Sequence, residues 1–523
     1  MCKAPKSMPR SLASNPLAVS AFVATLLAGC ATMAPKYERP AAPVPAAFPT
    51  GDAYPVAQAA LPPAAEIGWQ GFFTDPKLKA VIAQALAENR DLRVAIINIQ
   101  EARQQYRVQS AAELPTLNAS SSATYQHTPT DVALGSIGAA FPGLSIPQGG
   151  VYSQEYTASV GISDYELDLW GRVRSLTKQA LEQYLSTVET RRETQITIVS
   201  EVATDYLTSA ADLQRLQVAK DTLASDQKTY DLTVAKFTAG ISSQVDVRQA
   251  ETTLEQARSS VSTYTTQVAQ DINALTLVVG ASVDPALLPT GQDDSLPTLS
   301  DLPAGLTSAT LLTRPDVLEA EHTLKGYNAN IGAARAAFFP TVSLTASGGG
   351  ASVNLTRLFN SNNGAWSFQP NITLPIFDGG ANLAKLRYAK EEKAAAVAQY
   401  EKAIQTAFRE VADALAQRGT IEAQLQSQER LVKAASGSLG LSTARYRSGT
   451  DPFLNTLTAQ VTLYGAQQSL ISARLTRATN LVALYRTLGG GLDVAATQTL
   501  GTAQASGTTQ ASGMTQAANV DRR

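Results

Sequence analysis

Residues 171–240 read GRVRSLTKQALEQYLSTVETRRETQITIVSEVATDYLTSAADLQRLQVAKDTLASDQKTYDLTVAKFTAG, with about 68 residues between the two end glycines and neither glycine nor proline among them. Nothing in that run breaks a helix, and a continuous helix of this length would extend about 100 Å, several times the width of an ordinary domain. A second run, Ala381 to Ser448, has about the same length and ends in Tyr446-Arg447-Ser448-Gly449, as the first ends in Phe237-Thr238-Ala239-Gly240. Each glycine opens a shorter helical run, closing at Val279-Gly280 in one case and at Leu488-Gly489 in the other. The chain reads as a tandem duplication of one long helical hairpin.

Working outward, the repeat extends upstream. Asp91 to Leu114-Pro115 and Asp316 to Phe339-Pro340 each present a helical pattern over about 24 residues, the first with Asp91 as its expected cap. Ahead of them, Asp75-Pro76 opens a helix to about Asn89. After each Leu/Phe-Pro pair the apolar period changes from 3.6 to 2. Leu117, Ala119, Ser121, Ala123 and Tyr125 alternate with polar residues, as do Val342, Leu344 and Ala346. A return strand follows each, around Tyr156–Ile162 and Trp366–Ile376, with a phase slip at Ser163-Asp164 and a proline at Pro370. Strands of this length with one apolar and one polar face suit lipid outside and water inside, the alternative being soluble hairpins with one buried face. Tyr125, Tyr156, Trp170, Trp366 and Phe377 suit interfacial girdles, and glycine-rich loops at 127–154 and 348–365 connect the strands.

In the first long helix Val199, Val202, Tyr206, Leu213, Leu216, Leu223, Tyr230, Val234 and Phe237 form a coiled-coil seam, and Gly419, Gly437 and Gly440 mark expected close approaches in the second. Four strands cannot close a barrel, and an open sheet edge cannot exist in lipid, so several chains must share one barrel: two would give a plugged interior and three a channel. Periodicity does not choose between them.

Composition narrows the function. The net charge is −2, so no basic excess points to nucleic acid, and two histidines and two cysteines leave little for metal or Cys/His chemistry. No catalytic constellation appears, so an enzyme is not expected and no cofactor is called for. The first 29 residues read as a lipoprotein signal peptide: Lys3, Lys6 and Arg10, an apolar core, then Leu27-Ala28-Gly29-Cys30, with Cys30 as the lipid-bearing residue. Ala31, rather than aspartate, after it favours the outer membrane. Residues 30–67 form a Pro/Ala-rich arm, either laid over the surface or a disordered tether. The remaining divisions are a first repeat at 68–280 (β-hairpin 116–169, helical hairpin 171–280), a linker at 281–313, a second repeat at 314–491 (β-hairpin 341–377, helical hairpin 380–489) and a disordered tail at 492–523.

The lipobox, Pro35-x-Tyr37-x-x-Pro40, Trp69 with Phe72-Phe73, Leu169-Trp170-Gly171-Arg172, Pro375-Ile376-Phe377-Asp378-Gly379-Gly380, Tyr446-Arg447-Ser448-Gly449 and Leu488-Gly489-Gly490-Gly491 together resemble the outer membrane factors of the TolC/OprM type, most nearly the lipidated, NodT-like branch serving RND efflux. The resemblance implies an α+β membrane protein: a homotrimer with a twelve-stranded transmembrane β-barrel, continued by a long periplasmic α-helical coiled-coil barrel. It implies a passive outer membrane channel exporting drugs and small toxic compounds, partnered by a periplasmic adaptor, an inner-membrane RND pump and outer membrane lipid. A type I protein-secretion conduit and a non-conducting lipid-anchored stalk are the alternatives. By the same resemblance, Leu454 falls on the constricting leucine of the periplasmic gate. Thr458 and Val461 fall where relatives carry charge, and Asp246 matches an acidic position able to bond Tyr446 or a neighbouring chain. The turn residues Gly240, Ile241 and Ser242, with Arg447, Ser448, Gly449 and Thr450, are implied adaptor contacts.

Overall fold

The computed structural model describes residues 32–54, 67–129, 150–290 and 307–491. The signal segment with Cys30, the middle of the 127–154 loop, much of the linker and the C-terminal tail lie outside the described residues. In chain order the main elements are α1 (Pro76–Glu88), α2 (Arg90–Ala111), β1 (Leu117–Thr128), β2 (Val151–Glu166), α3 (Arg172–Thr238), α4 (Gln244–Val279), α5 (Pro315–Ala336), β3 (Thr341–Ser352), β4 (Gly364–Thr373), α6 (Ala381–Arg447) and α7 (Phe453–Thr487). Corresponding elements match in length: α2 and α5 have 22 residues each, α3 and α6 have 67 each, and α4 and α7 have 36 and 35. No described helix is long and apolar enough to cross a membrane.

The chain divides into two compact units. The first (residues 1–39, 101–184 and 322–397) holds the sheet, an antiparallel meander in the order β1-β2-β3-β4. Opposed residues share a face, so the registers assign every side chain. One face carries Leu117, Ala119, Ala123, Tyr125, Tyr156, Val160, Ile162, Leu344, Ala346, Trp366, Phe368 and Ile372; the other carries Asn118, Ser120, Ser122, Thr157, Ser159, Ser347, Ser367, Gln369 and Asn371. On the polar face, hydroxyl pairs bridge the strands: Ser120–Ser159 at 3.1 Å, Ser122–Thr157 at 2.8 Å and Ser347–Ser367 at 2.8 Å. The phase slip at Ser163-Asp164 is a β-bulge, with Asp164 at φ 50° and its N–H donating to Thr345 Oγ1 at 3.1 Å.

Two glycines let the strands coil toward the polar face. A Cβ at Gly349 would lie 2.0 Å from Ala158 O, and one at Gly161 would lie 2.4 Å from Ala346 O. On the apolar face, Gly348 has nothing within 4 Å. Crowding by the neighbouring strand's own backbone on the polar face is what a sheet concave toward that face produces; Gly350, on the apolar face, is crowded instead by the Leu358 carbonyl of the following loop, at 2.3 Å.

Several expectations are corrected here. Residues 348–352, expected as loop, belong to β3, because the glycines accept tight strand contacts; β4 ends at Thr373, leaving Leu374 and Ile376 beyond the ladder. Trp170, half-buried, has partners far along the chain. It stacks on Phe339 at 4.8 Å and donates to Pro340 O at 2.8 Å, joining the end of one hairpin to the start of the other.

The second unit (residues 40–100, 185–321 and 398–523) holds most of the helical hairpins. Asp75 caps α1 as expected, accepting from Lys77 N at 2.8 Å. The cap of α2 is Asn89, not Asp91: its Oδ1 accepts from Leu92 N at 2.8 Å, while its Nδ2 donates to Val278 O at 2.6 Å. One amide thus ends α1, starts α2 and ties both to α4. The Trp69–Phe73 stretch is core, with Phe72 stacked on Tyr485 at 3.9 Å. Arg314, nearly buried, bonds Asp316, Glu410 and the Thr487 carbonyl, so its charge is paired as burial requires. The upper seam of α3 (Val199, Val202, Tyr206, Leu216) is buried, but Phe237 is exposed. Gly419 admits a close approach, from the arm at Ala53 rather than from a helix, while Gly437 and Gly440 have nothing within 4 Å.

Overpacking a strand typically costs about 1–3 kcal/mol. Gly349→Val is therefore expected to reduce the folded fraction, read as heat-modifiable migration on gels, while Gly348→Val folds as wild type. Equal folded yields would contradict the one-sided curvature.

Candidate hairpin-turn site

The expected site lies at the turns α3–α4 and α6–α7, both in the second unit. Each long helix ends by the same device. Gly240 has φ 72° and Gly449 φ 74°, a left-handed conformation that costs a residue with a Cβ. Around the first, Ile241 N donates to Lys236 O at 2.8 Å and Gly240 N to Phe237 O at 2.9 Å. Around the second, Thr450 N donates to Arg445 O at 2.9 Å and Gly449 N to Tyr446 O at 3.1 Å. These paired bonds are Schellman motifs, which satisfy the last carbonyls and reverse the chain.

Beyond the glycines the two copies diverge. In the first turn Ser243 and Asp246 form a capping box: Asp246 N donates to Ser243 Oγ at 3.2 Å, and Asp246 Oδ2 accepts from Ser243 N at 2.9 Å. The Ser242 and Ser243 hydroxyls also donate to Oδ2, at 2.9 and 2.8 Å. Partial burial opposes ionisation of Asp246, but these Ser243 and Ser242 bonds outweigh it and hold the carboxyl below its ordinary range. The second turn has no capping box, since α7 begins at Pro452-Phe453 without a side-chain cap. A bidentate ion pair closes it instead, Arg445 Nε to Asp451 Oδ2 at 2.7 Å and Arg445 NH2 to Asp451 Oδ1 at 2.8 Å.

Between the turns, Tyr446, Phe453 and Ala250 form a small buried cluster, with Tyr230 and Leu457 against it. Lys236 Nζ sits 3.8 Å from the Tyr446 ring centroid, a cation–π contact. The Tyr446 hydroxyl is buried with no hydrogen-bond partner among the described residues. Of the two partners expected for Asp246, Tyr446 or a neighbouring chain, the Tyr446 bond is not formed within this chain; Asp246 closes its own turn.

Leu454, Thr458 and Val461, spaced i, i+4 and i+7, share one face of α7, with Leu454 53% and Val461 57% exposed. The opposite face buries Phe453, Thr456, Ala459 and Gln460. Thr458 Oγ1 donates to Leu454 O at 2.9 Å and so offers no free hydroxyl proton outward. Ile241, Ser448, Gly449 and Thr450 are exposed at the turn tips, and Ser242 is half-buried by its bond to Asp246.

One feature escaped the heptad reading. Beyond Ala219 the buried positions of α3 are polar: Thr233, fully buried, and Asp226, 5% exposed and hydrogen-bonded by Gln460 Nε2 of α7. Burial pushes the Asp226 carboxyl up to about 6. Asp226 lies three residues after Leu223 and four before Tyr230, so the seam's own phase marks it. Arg445 and Asp451, flanking Gly449, carry no periodic signal in the sequence either. Among the described residues no cluster of three or more His, Cys, Asp or Glu side chains is arranged to hold a metal.

Residues 81–281 and 306–490 match the family described as Outer membrane efflux protein. The chain belongs to that family. It is 47% identical over 484 residues to an antibiotic efflux pump outer membrane protein, ArpC of Pseudomonas putida, covering 92% of this chain and 96% of that relative. Identity and coverage are the same for a toluene efflux pump outer membrane protein, TtgC, of Pseudomonas putida. Among solved structures it is similar to the open state of the Neisseria gonorrhoeae MtrE outer membrane channel, with TM-score 0.79 and 36% identity over 88% of this chain and 99% of that one. As an outer membrane efflux protein, the chain works in the outer membrane.

Asp226 gives this hairpin a pH signature. Its folded pKa of about 6 lies above the roughly 3.9 of an unfolded chain, so the folded state binds the extra proton. Its contribution is most favourable below about pH 4 and is lost as pH rises through about 6. Asp226→Asn is expected to raise thermal stability at pH 7.5 and flatten its dependence between pH 4 and 6. An Asn variant with the wild-type profile would contradict the assignment.

Proposed function

We propose that the chain is the outer membrane conduit of a tripartite RND-type efflux system, a passive channel taking drugs and small toxic compounds from an inner-membrane pump to the exterior. One observation carries the reading: a four-stranded sheet with an apolar face, a hydroxyl-lined face and two unpaired edges, β1 and β4. In lipid those edge N–H and C=O groups need partners, and further copies of the chain supply them without limiting pore size. Three copies give a twelve-stranded barrel with the concave, hydroxyl-bearing face around water, room enough for solutes. Relatives named for antibiotic and toluene efflux support a broad, apolar substrate range.

At the periplasmic end, the exposed Leu454–Thr458–Val461 face of α7 forms the constriction. It carries no charge, since α7 has none between Phe453 and Arg474. The gate closes by apolar contact. Asp246 and the Arg445–Asp451 pair hold the turns from within each chain, presenting Gly240, Ile241, Ser242, Arg447, Ser448, Gly449 and Thr450 to a periplasmic adaptor. Cys30 carries the lipid anchor.

Deleting the chain is expected to sensitise the host to a panel including toluene and lipophilic antibiotics. The purified protein should conduct in planar bilayers, and Leu454→Ala should raise closed-state conductance severalfold. Unchanged susceptibility across the panel would contradict the efflux role, and an unaltered closed state in Leu454→Ala would contradict the gate.

A further inference from the structure

At seven-residue intervals α3 carries Asp205, Asp212, Ala219, Asp226 and Thr233, one line along the helix that is mostly polar although it runs through packed surface. Asp212 is 4% exposed, and Asp271 of α4, 8% exposed, faces it within bonding reach. Asp212 Oδ1 accepts from Arg215 NH1, and Asp271 Oδ1 accepts from Gln267 Nε2 at 3.1 Å. The second oxygen of Asp271, Oδ2, is buried and has no donor among the described residues. Two carboxylates offer each other only lone pairs, so in a buried site they bond only if one of them keeps a proton.

At the same level both helices are tied to α7, all within the second unit. Arg215 NH2 donates to Ser472 Oγ at 2.9 Å. Tyr264, seven residues before Asp271 on α4, donates to Gln468 Oε1 at 3.1 Å.

We propose that Asp212 and Asp271 form a proton-binding site that clasps α3 to α4, with Arg215 and Tyr264 extending the clasp to α7. Arg215 keeps Asp212 ionised, so the proton resides on Asp271 Oδ2 and is donated to the Asp212 carboxylate, a bond of the short, strong O–H···O⁻ kind. Burial, then the charge of Asp212 and the bond to it, raise Asp271 above the ordinary carboxylate range, against Gln267 and Arg215, which lower it. The charged groups that face Asp271 are Asp212, Arg215 and Asp205, all on α3; Asp205 is itself raised to about 6 by burial, Glu201 and Asp271. Helix α1, also packed on α4, adds no charge there, and α7 brings only Ser472, Gln468 and Tyr464, which meet Arg215 and Tyr264. The folded chain binds the extra proton, so the clasp is firmest in acid and is lost as pH rises through the raised value, where both carboxyls are charged and repel. Further down α7 lies the Leu454 face, so losing the clasp loosens the hold on that helix; this consequence rests on the reading of that face as the constriction.

Infrared titration of the full chain in detergent reads the site, since a protonated carboxyl and a carboxylate absorb differently. All proteins compared carry Asp205→Asn, so that Asp205 adds no band of its own. Subtracting Asp271→Asn should leave a protonated-carboxyl band at about pH 5.5, where an ordinary aspartate is ionised, fading toward about pH 8. With Asp212→Asn, which keeps an oxygen for Arg215, the same difference should titrate about one pH unit or more lower, because the like charge is gone. A solitary buried acid would not move. No such band at about pH 5.5, or a band unmoved by Asp212→Asn, would overturn the shared proton. In planar bilayers, closed-state conductance should rise severalfold as the periplasmic side goes from about pH 5.5 to about pH 8, and Asp271→Asn, whose amide donates at every pH, should abolish the rise. A pH-independent wild type alongside the expected infrared result overturns the link to the constriction and leaves the site standing, whereas no conductance from any variant counts against the conduit reading itself.

Discussion

Every backbone N–H and C=O that enters hydrocarbon must find a partner, and the sheet leaves two rows of them without one. β1 and β4 are its open edges, and the intervening ladders fully use β2 and β3. Water can satisfy such edges and lipid cannot, so the apolar face on β1–β4 and the open edges are compatible only if other chains complete the sheet. The tandem duplication bears on the same constraint. Each repeat contributes one hairpin to the sheet and one long helical hairpin, so a chain assembled side by side with its copies meets each neighbour through corresponding elements.

Curvature ties the sheet to a channel. Gly161 and Gly349 place bare Cα atoms where the polar face is most crowded, and the hydroxyl pairs Ser120–Ser159, Ser122–Thr157 and Ser347–Ser367 satisfy one another there. That face is lined mainly by small hydroxyls bonded to one another, with Glu155 opposite Thr124 as a charge on it.

Much of this was legible in the residues, because periodicity reports faces and glycine reports turns. The change from period 3.6 to period 2 after Pro115 and Pro340 located β1 and β3, and Gly240 and Gly449 located the Schellman ends. What was not legible depended on contacts distant in sequence. Asn89 displaced Asp91 as a cap because its amide also reaches Val278 in α4. Trp170 reads only as a strand-end aromatic, and its partners, the Phe339 ring and the Pro340 carbonyl 170 residues away, are not visible in the sequence. Asp246 and Asp451 look alike in the sequence, yet one closes its turn with serine hydroxyls and the other with Arg445. The two turns diverge in what their aspartates bond, Ser242 and Ser243 in one and Arg445 in the other, which no single-period reading resolves.

The central claim is that β1 of one chain pairs with β4 of the next until three chains close. Within one chain these strands are separated by β2 and β3, about 14 Å apart at ordinary strand spacing, too far for a disulfide. Cysteines scanned along the polar face of β1 (Ser120, Ser122, Thr124) and β4 (Ser367, Gln369, Asn371), combined pairwise and oxidised in membranes, read that contact directly. At least one pair is expected to give a non-reducing ladder that ends at three chains. A ladder ending at two chains, or no interchain disulfide from any pair, would contradict the account.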